Sequence, residues 1–310
     1  MMKFKSLCFN GILTVFFFIA LSTTMLAAGS NTKAMQTLIF VPGFLHKVND
    51  TFASEKQIVK DIFPHATIEV FVWKEAASDT YFPDCCKKVD RVVAQKLVKY
   101  ITDKYSVEEM KNIILVGHSL GGRTVIKAMA LLAKAGKKIN CGIFLGSAIS
   151  YEDPDVKQAL NASIERCINI FSRNDPILNN FYGIASNENA LGAYGYKFNS
   201  NNLRQYKTDI EEHDAVCYLP ELKKVKSGTM AEYKRPPEVK VRYQIFAPFK
   251  FSPVLNKENI VESVNGWHMW KKEHKYYIID HDGFCRARGN EEKMREAFDD
   301  IKKQLNNKNQ

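Results

Sequence analysis

Between Gln36 and Ile210, short runs of almost unbroken apolar residues alternate with stretches of helical periodicity, and few architectures accept that alternation. Thr37–Phe44 (TLIFVPGF) reads as a buried strand running into a Pro-Gly turn, and Thr67–Trp73 (TIEVFVW) as the next strand. Asn112–Gly117, Ile139–Ser147, Cys167–Phe171 and Leu203–Ile210 continue the series. The segments between them carry apolar residues three and four apart. Ile58, Val59 and Ile62 do so within Thr51–Phe63; Val89, Val92, Val93, Leu97, Val98 and Ile101 do so within Val89–Tyr105. Arg123–Ala135 is an Ala- and Leu-rich helix. A strand that is apolar at every position has no face to offer water, so helices must cover it on both sides. The pattern predicts an α/β domain built on a mostly parallel central sheet.

Past Tyr218 the texture changes. Lys223–Pro237 (KKVKSGTMAEYKRPP) is polar and reads as a surface connection. Val239–Phe246 and Lys275–Asp280 are expected strands, and Glu291–Leu305 is a charged helix with Met294, Phe298, Ile301 and Leu305 along one face. The expected organisation is therefore a core over residues 36–222 and a small C-terminal extension over 223–310, with extra strands and a closing helix. At the other end, Lys3 and Lys5 precede an apolar stretch from Gly11 to Ala20, and Ala27, Ala28 and Gly29 follow. A basic start, a short apolar run and a small-residue exit predict a signal peptide over residues 1–28, and hence a secreted or periplasmic protein. The alternative is a membrane anchor formed by residues 11–28, although Ser22, Thr23 and Thr24 interrupt the run.

The net charge is +10, spread along the chain rather than blocked. That permits peripheral contact with an anionic membrane surface. Without zinc-finger spacing or an RNP-like aromatic run, it does not predict nucleic-acid binding. Removal of Cys8 with the leader would leave Cys85, Cys86, Cys141, Cys167, Cys217 and Cys285. An even count in an oxidising compartment allows up to three disulfides, and spacing does not choose among the pairings.

The chemistry is concentrated in LVGHSLGG, Leu115–Gly122. Gly117, Ser119 and Gly121 satisfy G-x-S-x-G between an expected strand and an expected helix. Small flanking residues let the chain bend sharply enough there to present a serine hydroxyl at the sheet edge. The amides at the start of the following helix favour negative charge that develops in a reaction. No Gly-Lys-Ser/Thr follows, which excludes a phosphate-binding loop of the P-loop type. Serine needs a base, and the base needs an orienting acid. Asp175, after the apolar run Cys167–Phe171, stands where the acid is expected. His213, after Leu203–Ile210, is the expected base, and His281, after KYYIID, is the alternative. If His281 were the base, residues 214–274 would form an insertion or lid.

From about Thr37 to Leu219 the chain resembles the α/β-hydrolase superfamily. The resemblance rests on GHSLGGR (Gly117–Arg123) and, more loosely, on FSRNDPIL (Phe171–Leu178) and HDAVCY (His213–Tyr218). These segments are similar to those of a branch of lipase- or esterase-like domains of unknown function. The resemblance implies a serine hydrolase acting on a carboxylic ester through Ser119, Asp175 and His213, with a small-molecule or lipid ester as substrate. It also implies an oxyanion site formed by the backbone N–H groups of Phe44 and Leu120, since Val41-Pro42-Gly43-Phe44 resembles the family's early oxyanion loop. An acyltransferase or thioesterase with the same residues, or a catalytically silent binding module, would share these features. Neither an H-E-x-x-H run nor a Cys-x-x-Cys pair is present, so neither a metal nor another cofactor is expected.

Overall fold

The apolar runs lie side by side in one sheet. Its strands are β1 (Thr37–Val41), β2 (Thr67–Val70), β3 (Ile113–His118), β4 (Cys141–Leu145), β5 (Cys167–Ser172) and β6 (Leu203–Thr208). They are ordered β2-β1-β3-β4-β5-β6, and every pair is parallel. The structure is a computed structural model that describes residues 35–43, 52–73, 82–186, 188–236, 239, 241, 242, 244–250, 257–281 and 283–307. The expected leader over residues 1–28 and Phe44 lie outside the described residues.

Alternation along each strand divides the core into two layers. Ile39, Val41, Ile113, Leu115 and Phe144 point to one face. Helices α2 (Phe82–Lys88), α3 (Ala94–Lys104), α4 (Leu120–Lys134) and α5 (Pro154–Leu160) follow in the chain, and α3, α4 and α5 cover that face through Leu97, Ile101, Val125, Met129 and Val156. Leu38, Phe40, Ile114, Val116, Ile143 and Leu145 point the other way. There they meet Val59 and Ile62 of α1 (Phe52–Ile62), and Tyr218, Leu219 and Leu222 of α6 (Ala215–Lys226). The strands β1, β3, β4 and β5 are buried on both faces, as their near-unbroken apolar runs require, while the edge strands β2 and β6 are partly exposed.

The expected helix Val89–Tyr105 is the second half of a longer element. Helix starts at Phe82, passes through a π-helical turn at Val89–Val93 and continues as α3. That turn holds Asp90, whose carboxylate takes both prongs of Arg123, Nε to Oδ1 and Nη2 to Oδ2, each at 2.7 Å. A forked, largely buried pair of this kind ties the irregular turn to the first turn of α4. Arg123→Ala is expected to lower the unfolding free energy by about 2–4 kcal/mol, because Asp90 would keep its charge and lose its partner. The urea midpoint checks this, and a change under about 0.5 kcal/mol would make the pair a surface-like one.

The C-terminal extension is a second sheet. Strands β7 (Gln244–Lys250), β8 (Ile260–Val264), β9 (Trp267–Lys272), β10 (Lys275–Ile279) and β11 (Phe284–Gly289) are antiparallel in the order β7-β11-β10-β9-β8. Helix α7 (Glu291–Asn307) covers one face through Met294, Phe298, Ile301 and Leu305. The strand expected at Val239–Phe246 in fact starts at Gln244 and runs to Lys250, so that expectation was displaced by five residues at its start. Pairing with β11 sets its extent, through Gln244↔Ala287 and Phe284↔Lys250, and alternation in the sequence alone does not register it.

Candidate active site

β3 ends at His118, α4 begins at Leu120, and Ser119 makes the whole turn between them with φ 56° and ψ −123°. A serine in this region is strained by about 1–3 kcal/mol, and such strain persists only where the surroundings enforce it. Here the backbone does so. Ser119 N–H donates to Leu145 O at 3.0 Å, and Ala148 N–H donates to Ser119 O at 3.0 Å, clamping the turn against the end of β4. The flanking glycines let main chains touch: a Cβ on Gly117 would stand 2.5 Å from Gly121 O.

Asp175 follows β5 and is wholly buried. Its Oδ1 accepts from Leu178 N–H at 3.0 Å, at the start of the π-helical segment Ile177–Tyr182. Its Oδ2 lies 2.6 Å from His213 Nδ1 and also accepts from the Tyr218 hydroxyl at 2.7 Å. His213 Nε2 is 2.8 Å from Ser119 Oγ. With a carboxylate facing Nδ1, the neutral ring that fits carries its proton on Nδ1 and offers Nε2 as an acceptor to the serine hydroxyl. The loop bearing His213 is tied down by Ser172, whose hydroxyl donates to Ile210 O at 2.6 Å. Thus Ser119, Asp175 and His213, expected from sequence as a set, are brought together.

His281 is placed elsewhere. It follows β10, and its ring packs edge-on against Trp267 with centroids 6.1 Å apart, while His213 occupies the hydrogen-bonding position at Ser119. Residues 215–226 form α6, a helix packed on the sheet face, so the lid reading attached to His281 fails at that segment. Its neighbour Asp280 serves its own turn: it accepts from Phe284 N–H at 2.9 Å and pairs with Arg286 Nε at 2.6 Å.

Leu120 is buried as the first residue of α4, where amides lack partners within the helix. Phe44 is outside the described residues, but the turn that leads to it is pinned beside the serine. A Cβ on Gly43 would stand 2.9 Å from Ser119 Cβ, and Trp73 Nε1 donates to Pro42 O at 3.1 Å. Around Leu120 an apolar cluster of Cys85, Cys86, Leu178, Tyr182 and Tyr194 closes over the sheet edge.

Sequence reasoning gave Ser172, Gly43 and Tyr218 no separate roles, although each lies in a segment that carried a signal: FSRNDPIL, Val41-Pro42-Gly43-Phe44 and HDAVCY. None of the six described cysteines forms a disulfide. Burial pushes the thiols of Cys86, Cys167 and Cys285 up to about 11, which leaves them protonated and poor as nucleophiles. Among the described residues no group of three or more His, Cys, Asp or Glu could hold a metal ion, and no helix is long and apolar enough to cross a membrane.

Residues 80–213 match a family described as a protein of unknown function (DUF726). No curated protein is a match for the chain. Among solved structures, an esterase of Pyrococcus furiosus is similar at 16% identity and a TM-score of 0.42, over 63% of this chain and 80% of that one. A thioesterase of the prodiginine pathway of Streptomyces coelicolor is similar at 12% identity and a TM-score of 0.38, over 63% and 85%. An esterase of Pyrobaculum calidifontis is similar at 12% identity and a TM-score of 0.39, over 64% and 78%. A strained serine turn at the edge of a parallel sheet ordered β2-β1-β3-β4-β5-β6 is the arrangement of the α/β-hydrolase fold, and that is the fold of this chain.

Proposed function

We propose that this protein is an exported serine hydrolase that cleaves carboxylic esters through an acyl-enzyme. The observation that carries the reading is the continuous hydrogen-bonded line from Ser119 Oγ through His213 to Asp175, with steps of 2.8 and 2.6 Å. Ser119 Oγ attacks the acyl carbon while His213 Nε2 takes its proton. The tetrahedral oxyanion lies against the Leu120 amide, with the Phe44 amide as the expected second donor. The C–O bond to the alcohol then breaks, and the imidazolium returns its proton to the departing oxygen. Water attacks the acyl-serine by the same route, releasing the acid and restoring Ser119. Asp175 keeps the imidazole oriented and offsets the positive charge it gains. The apolar cluster around Leu120 supports an acyl group rather than a charged one.

Ser119→Ala is expected to cut turnover of a p-nitrophenyl ester by about 10³-fold or more and to abolish labelling by a fluorophosphonate. Labelling of the unaltered protein separates this reading from a silent fold. Turnover above about a tenth of wild type in Ser119→Ala would overturn it. Export is tested by the N-terminus of the protein made in a secreting host. Processing near Gly29 is the expected result, and a retained Met1 on membrane-bound protein would favour the anchor.

A further inference from the structure

We propose that Tyr218 is a positioning residue of the hydrolase site: its phenol, seated in the space that Gly146 leaves open, fixes the Asp175 carboxylate that faces His213. The inference rests on the catalytic reading of Ser119, Asp175 and His213 and adds a fourth member to it.

Asp175 has no exposed surface, so every lone pair it presents must be met by protein. Oδ1 is met by Leu178 N–H, whereas Oδ2 carries two donors, His213 Nδ1 at 2.6 Å and the Tyr218 hydroxyl at 2.7 Å. The phenol therefore binds the same oxygen that orients the base. A buried tyrosine needs some acceptor, and a backbone carbonyl would satisfy it equally well. This one takes the oxygen on which the proposed chemistry depends. His213 and Tyr218 also share one short stretch of chain, since α6 starts two residues after the histidine. The end of the histidine loop and the first turn of α6 thus deliver the two donors to Oδ2.

A second strand of the sheet accommodates this contact. Gly146, just after β4, has φ +48°, and a Cβ there would stand 2.8 Å from Tyr218 Cζ and 3.0 Å from its hydroxyl oxygen. Any side chain at 146 would push the phenol from Asp175. On the other flank the His118 ring lies 5.0 Å from His213 and 5.7 Å from Tyr218, so the two donors share a wall. Burial first, and the neighbouring Asp175 second, hold the phenol far above the ordinary tyrosine range. It keeps its proton and remains a donor wherever the enzyme works.

The direction of the effect follows from the charge. A proton pointed at Oδ2 draws density from the carboxylate and weakens its hold on an imidazolium. The titratable and charged groups around His213 are Asp175 and Tyr218 at the carboxylate, His118 beside the ring, and Glu211, Glu212 and Asp214 along its own loop. Only the Tyr218 contact is changed by removing one hydroxyl.

The test is Tyr218→Phe in the full chain, with kcat and KM for a p-nitrophenyl ester measured from about pH 5 to 9. The expected result is a loss of roughly tenfold in kcat, KM within about twofold, and an acid limb of kcat/KM moved up by about half a pH unit. Site-specific Tyr218→3-fluorotyrosine makes a stronger donor of the same shape and is expected to move that limb down. An acid limb unmoved in both variants overturns the proposal. If the phenylalanine variant does not fold, the fluorotyrosine arm decides alone by the same criterion. Failure of the catalytic reading shows separately, as turnover retained in Ser119→Ala.

Discussion

Gly121→Ala is expected to yield no stable, active protein. The added methyl would stand 2.0 Å from Val41 O, 2.5 Å from Pro42 O and 2.7 Å from Val41 C. All three are main-chain atoms at the end of β1, so no rotamer relieves the clash, and the first turn of α4 would have to leave the sheet. That separation would carry away the Ser119 turn and open the core beside Leu115 and Val125. The cost belongs in the range above about 4 kcal/mol that marks overpacking of a rigid contact. Gly136→Ala is the control. Its φ of +67° strains an alanine, yet nothing lies within 4 Å of its Cβ, so the expected loss is only about 1 kcal/mol. Thermal unfolding of the two variants side by side checks the contrast. A Gly121→Ala protein that melts within a few degrees of wild type and turns over ester would contradict the described packing.

His213→Ala is expected to lose ester turnover by about as much as Ser119→Ala, roughly 10³-fold or more, because the members of such a line act as a unit. His281→Ala is expected to stay within about tenfold of wild type, since its ring packs on Trp267 and the position at Ser119 is taken by His213. Kinetics of both variants on one substrate decide between the histidines. The reverse pattern, with His281→Ala dead and His213→Ala active, would require a different arrangement of the C-terminal sheet.

The parallel sheet was legible because burial on both faces leaves an unmistakable trace in the sequence, as in TLIFV and IILVGH. The serine turn was legible because few residues but glycine fit its neighbours. The histidine was harder, because a single ring after a strand looks the same in text wherever the fold sends it. What separated His213 from His281 was the pairing of β6 beside β5, which sets His213 against Asp175, 38 residues away in sequence, and which no local pattern encodes. Most of the C-terminal sheet escaped notice. Its strongest cue, Asn265-Gly266, sits in the β8–β9 hairpin with φ of 45° and 83°, the two positive values that an Asn-Gly turn favours. The flanking VESV and WHMW carry too many polar residues to announce themselves as strands. FSRNDPIL and HDAVCY hold Ser172 and Tyr218, but the individual roles of the two residues were unreadable, because their partners, Ile210 O and Asp175 Oδ2, are reached only through the tertiary fold.

The serine and its hydrogen-bonding histidine are 94 residues apart in sequence and belong to opposite halves of the parallel sheet. A chain folded only through β5 would hold Ser119 and Asp175 at one edge of the sheet, two strands apart, without the histidine that joins them. The histidine loop arrives when β6 pairs with β5 and Ser172 captures Ile210. Such distant pairings are the slow events of folding. On the proposed function, turnover would begin only once the sheet is complete, so reactivity would be withheld until the last parallel strand has found its place.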